Sequence, residues 1–135
     1  MKVLTFRIIF LFSLLIFLSS SSFGQSSYTC LYLQNCNYNT IVERYDNCIG
    51  APLQSKFEID KAEKIITLIL PEEKISYAVL SKQRKNRATV VYRVSQENGE
   101  NIFVIVNSKE KEIRILMKKN GNASLKIYSQ NEETD

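Results

Sequence analysis

Histidine is absent from this chain, and so is tryptophan. Without histidine there is no Ser-His-Asp triad, no Cys-His nucleophile pair and no zinc helix of the H-E-x-x-H kind. Carboxylate or lysine chemistry is all that remains for an enzyme, and no arrangement of residues favours it. Glu72-Glu73 follows Pro71 in a turn-like stretch, and Glu132-Glu133 sits in a polar tail. Both pairs read as solvated charge rather than as an acid/base couple. The expectation is therefore a non-enzymatic protein without a cofactor, with a carboxylate-based enzyme ranked last among the alternatives.

Phenylalanine is scarce where it would matter. Five of the seven fall within the first 24 residues, leaving Phe57 and Phe103, whereas all seven tyrosines lie beyond that point. A tyrosine-rich, phenylalanine-poor chain suits a small domain with a thin core and wet surfaces. Strong charge is lacking too. Setting aside Lys2 and Arg7 leaves 16 basic against 14 acidic residues, too mild a balance to imply nucleic acid as a partner.

Residues 1–24 have the pattern of a secretory signal peptide. Lys2 and Arg7 form a positive n-region, Ile8 to Leu18 is apolar apart from Ser13, and Ser22-Phe23-Gly24 is a small-x-small cleavage site. The apolar run has about half the length needed to cross a bilayer core, so no transmembrane anchor is expected in the mature chain. A lipid anchor on Cys30 is disfavoured because Ser27-Tyr28-Thr29 lacks the residues that a lipoprotein signal places before its cysteine. The protein is thus expected to be exported, to a periplasm or beyond the cell. The remainder divides into a cysteine-bearing segment over 25–55 packing on a sheet, a β-meander over 56–129 and a polar tail over 130–135.

Three cysteines are an odd number for an oxidising compartment: one disulfide and one free thiol. Cys30, Cys36 and Cys48 are separated by five and then eleven residues, which matches no zinc site, so no metal is expected. Cys36 with Cys48 is the favoured pair, because the segment between them reads as a compact helical turn, and Cys30 with Cys48 is the alternative. Thr40-Ile41-Val42-Glu43 fits a capping box. With Gly50 and Pro52 as stop signals, it predicts a short helix near 41–48, although Ile41-Val42 would also suit a strand.

Beyond Lys56 the pattern is one of short apolar runs separated by turn signals, as in an antiparallel all-β domain. The runs are Phe57 to Asp60, Lys64 to Leu70, Ile75 to Ser81, Ala88 to Gln96, Asn101 to Asn107, Glu112 to Lys118 and Ala123 to Ser129. Asn98-Gly99 and Asn120-Gly121 are strong hairpin signals. Short connections make each strand the neighbour of the next. With one strand from Tyr28 to Leu33, this predicts an up-and-down meander of about seven or eight strands, as a small barrel or strongly curved sheet. The architecture is similar to that of lipocalin-like and wider calycin-like ligand carriers, although the tryptophan that follows the first glycine of a lipocalin is missing.

Alternation assigns an inward face: Phe57 and Ile59; Val90, Tyr92 and Val94; Ile113, Ile115 and Met117; Leu125 and Ile127. The strands around Ile66 and Leu68, and around Phe103 and Ile105, are apolar on both faces. Such strands are normally covered on both sides. The cysteine-bearing segment is the expected cover, and the alternative is an exposed patch for a ligand or partner. Consecutive turns of a meander fall at opposite ends. One end gathers the loops near residues 61–63, 82–87 and 108–111 and is basic through Lys82, Arg84, Lys85 and Arg87. That cluster is a candidate anion site, set against its reading as a solvated loop that protects strand edges.

Two binding readings follow. One is a small secreted module holding an apolar or amphipathic ligand in a calycin-like barrel. The other is a protein-interaction or envelope component that uses an apolar strand face or the third cysteine.

Overall fold

The computed structural model describes residues 26–96, 101–119 and 122–131. The leader, the Asn98-Gly99 and Asn120-Gly121 turns and residues 132–135 lie outside the described residues. Eight strands follow one another: β1 (Ser26–Asn39), β2 (Arg44–Ile59), β3 (Ile65–Ile69), β4 (Lys74–Arg84), β5 (Thr89–Ser95), β6 (Asn101–Asn107), β7 (Glu112–Lys119) and β8 (Asn122–Ser129). Each pairs antiparallel with the next. β8 then returns to β1 from Tyr32↔Ser129 to Asn37↔Ser124, so the sheet closes into a ring.

Local chemistry sets the turns. The Asp60 side chain accepts hydrogen bonds from the Lys64 and Ile65 amides at 2.7 and 3.0 Å, and Glu63 takes a positive φ of 55°. Asn107 accepts from the Lys109 and Glu110 amides, and Asn86 from those of Ala88 and Thr89. Side-chain oxygens thus satisfy amides that the ladder cannot reach, which is why Asp and Asn recur at these corners.

The interior is one apolar cluster with a contribution from every strand: Cys30, Phe57, Ile59, Ile66, Leu68, Tyr77, Tyr92, Val94, Ile102, Val104, Val106, Ile113, Ile115 and Tyr128. Phe57 and Tyr128 meet edge to face with centroids 5.0 Å apart. Each large side chain so buried contributes about 1.5–3 kcal/mol.

Four expectations need correction. Among the described residues there is no helix: residues 40–43 form a turn and Arg44 already belongs to β2. Residues 26–55 do not lie over a sheet, because they supply β1 and most of β2 in the ring itself. The inward phase of β8 is the opposite of the expected one. Tyr128 pairs with Ile113 and enters the core, whereas Leu125 and Ile127 pair with Leu116 and Arg114 on the outer face. Finally, Ile66 and Leu68 are 0% and 1% exposed and face the ring interior, so they cannot form a partner surface.

Candidate interaction surface

The basic end of the ring is more neutral than its composition suggests. Lys82 lies on the inward phase of β4, opposite Tyr92. Its ammonium donates to both Glu63 oxygens at 2.8 and 2.7 Å. The Tyr92 hydroxyl donates to the same carboxylate at 3.0 Å. The Lys82 ammonium, helped by Tyr92, holds the Glu63 carboxyl below its ordinary range, while burial and then Glu63 push the Tyr92 phenol up. Arg84 Nη1 donates to the Arg87 carbonyl at 3.3 Å. Lys85 and Arg87 are exposed on the β4–β5 loop. One of the four expected cations is therefore spent on tying the β2–β3 turn to β4 and β5.

Cys30 is wholly buried beside its register partner Ser55. Burial pushes its thiol up to about 11, with the Ser55 hydroxyl moderating the rise. A protonated thiol inside the core is a packing group rather than a reactive one.

Past the β8 ladder, which ends at Asn37↔Ser124, β1 and β2 continue as a short two-stranded arm through the pairs Tyr38↔Tyr45 and Asn39↔Arg44. Below it, among the described residues, β2 has β1 as its one strand partner as far as Ser55. β3 pairs with β2 only over Lys56–Ile59, while β2 pairs with β1 as far out as Arg44. The Cys36–Cys48 disulfide joins the two strands at a bulge, with Cα atoms 4.1 Å apart. Outside it, Tyr38 and Tyr45 pack edge to face at 5.2 Å. Asn39 then does three things at once. Its amide donates to Asp46 Oδ2 at 2.9 Å, and its carbonyl accepts from the Ile41 and Val42 amides at 2.9 and 3.4 Å. Glu43 completes the turn with φ 52°. The result is a braced hairpin whose tip presents Ile41, 91% exposed, and Val42, 48% exposed.

Between this arm and the end of the ring is an open groove of about 520 Å³, lined by Tyr38, Thr40, Tyr45, Lys118 and Ala123. It runs into the outer wall of the ring. Register places Val91, Phe103, Ile105, Leu116, Leu125 and Ile127 on that wall, with Arg93 and Arg114 among them. Of these apolar residues Leu125 is buried, against Cys36, and the others are half-buried. Among the described residues no element is layered over the wall, since the strands contact their ring neighbours and, slightly, β2 contacts β8.

Phe103 and Ile105 therefore belong to a continuous outer surface, apart from Lys82, Arg84, Lys85 and Arg87 at the opposite end. Ile41, Val42, Tyr38, Tyr45 and Lys118 were not among the binding residues expected from sequence, where Ile41 and Val42 figured only as a helix start or a strand. The available signal was the near-symmetry of two tyrosines about Asn39-Thr40-Ile41-Val42-Glu43-Arg44, which suits a hairpin tip as well as a helix start. No family model matches this chain, and neither the curated proteins nor the solved structures contain a match.

Proposed function

We propose that this protein is an exported, non-enzymatic interaction module that docks through the β1–β2 arm and the outer wall beside it. The observation that carries this reading is the bracing of the arm. A disulfide, a tyrosine pair and the Asn39 bridge are spent on holding Ile41 and Val42 out in water. Holding a contact surface rigid before binding lowers the entropic cost of association. Tyrosine and arginine next to half-buried aliphatics are the composition of an interface centre.

A ligand held inside the ring is the weaker reading, because the inward side chains form one buried apolar cluster and none of the described grooves opens among them. Enzymatic use of Glu63 is disfavoured on direction. Its carboxyl is shifted down and tied to Lys82, whereas a general acid at neutral pH needs an upward shift. The leader over 1–24 and the Cys36–Cys48 bridge are the support for an oxidising location outside the cytosol.

The test is site-specific photo-cross-linking in the native host. A photoreactive residue at Ile41 should give discrete protein adducts, and one at Glu110, an exposed position at the opposite end of the ring, should not. Equal labelling from the two positions would remove the arm from consideration.

A further inference from the structure

The tip and the groove of one molecule match each other in chemistry. The tip carries two exposed aliphatic side chains and one carboxylate, at Ile41, Val42 and Glu43. The groove carries two aromatic rings and one ammonium, at Tyr38, Tyr45 and Lys118. Glu43 and Lys118 are both exposed, and neither forms an ion pair among the described residues. Thr40 of the turn lines the groove, whereas Ile41 and Val42 stay exposed and leave the groove open.

We propose that the groove receives the tip of a second copy of this chain, with the two arms exchanged about a two-fold axis. The proposal rests on the docking role given above to the arm, and names its partner. A two-fold interface uses the same patch twice, so one contact geometry fills both grooves and makes both Glu43–Lys118 pairs. The groove lies in the size range of sites that enclose apolar groups. Tyrosine rings supply large contact area at a small loss of side-chain freedom.

Glu43 and Arg44 stand side by side at the tip and both are exposed, so the tip has no net charge to draw it to an anionic lipid surface. Against Lys118 of a second copy, the Glu43 carboxylate is attracted.

Sedimentation equilibrium of the protein purified from its own host, with the disulfide intact, tests the exchange. Wild type should be a dimer. Glu43→Lys and Lys118→Glu should each weaken it by about tenfold or more, and the combined exchange should restore most of the loss. Circular dichroism should be the same for all four proteins. Their melting temperatures should coincide at dilutions where each is monomeric, since association itself raises the melting point. This separates lost contact from lost fold.

A monomer at every concentration would overturn the proposal. So would a dimer indifferent to the single changes, or a double exchange that rescues nothing. Co-sedimentation of a monomeric wild type with anionic phospholipid vesicles would assign the tip to lipid instead. The two failures are distinguishable. A monomer that still gives discrete Ile41 cross-links to another protein removes the second copy and keeps the docking arm, whereas a monomer without such adducts removes both.

Discussion

Tyr32 lies across Gly50. The ring occupies the place where a side chain at position 50 would stand, with Tyr32 Cζ only 2.7 Å from where a β-carbon would be. Glycine here is a matter of space, since an aromatic ring on the neighbouring strand covers the bare backbone. Gly50→Ala should displace the ring and, because the contact is with the far end of a half-buried side chain, lower stability by about 1 kcal/mol or less. Tyr32→Ala should absorb most of that penalty in the double variant. Chemical denaturation of the four proteins gives the coupling, and simple additivity would show that the contact does not matter.

Ile115 and Leu116 are adjacent, yet they face opposite sides of the ring. Ile115 is 1% exposed in the core, while Leu116 belongs to the outer wall. Ile115→Asp buries an unpaired carboxylate at a cost of several kcal/mol, enough to unfold a domain of this size. Leu116→Lys should keep the fold, because its aliphatic stem covers the wall and its ammonium reaches water. Near-ultraviolet circular dichroism and thermal melts should separate the two variants sharply.

Cys30 makes the fold sensitive to alkali. Its thiol is raised from 9.0 to about 11 by burial, so the unfolded chain ionises first as pH rises. Stability is full below pH 9 and falls between about 9 and 11, by about 3 kcal/mol in all. Tyrosine ionisation adds to the loss at the upper end of that range. The difference between wild type and Cys30→Ala isolates the thiol, and denaturation midpoints taken from pH 7 to 11 should converge for the two proteins. Thiol reagents should label Cys30 only on unfolding.

Glu63 acts at the acid limit, with the opposite sign. Its carboxyl is lowered by Lys82 and Tyr92, so its contribution is present above the ordinary carboxylate range and is lost as pH falls through the folded value. The pair is substantially exposed, and the contribution is under about 1 kcal/mol. Glu63→Gln should flatten that part of the pH–stability curve and leave the neutral region nearly unchanged. The melting temperature between pH 3 and 7 is the readout.

The seven runs from Phe57 to Ser129 were legible because alternation and turn chemistry agree along most of them. β6 begins and ends where the pattern does, at Asn101 and Asn107. The arm was not legible. A side chain that satisfies the first amides of a helix also satisfies those of a tight turn, and Asn39 does the second. Only a partner strand decides between them, and that partner is non-local information. The Cys36–Cys48 bridge was expected for the wrong reason, since the bonded cysteines face each other across two strands rather than closing a helical turn. β8 misled because its outward residues are apolar. Leu125 and Ile127 are the better hydrophobes, yet the larger Tyr128 fills the core. An outer wall that is itself apolar hides the phase of the strand behind it. The docking surface was unreadable for the same reason.

Ring closure has a consequence for when the fold can form. Tyr32 pairs with Ser129, and these two lie near opposite ends of the described chain. Hairpins from β3 to β8 need only neighbours in sequence and can assemble early, whereas the β1–β8 seam must wait for the last strand to be made. Until β8 docks, β1 therefore has a free edge over Tyr32–Asn37. Closure of the ring is timed by β8, and a chain truncated before β8 retains an open strand edge able to pair with another chain.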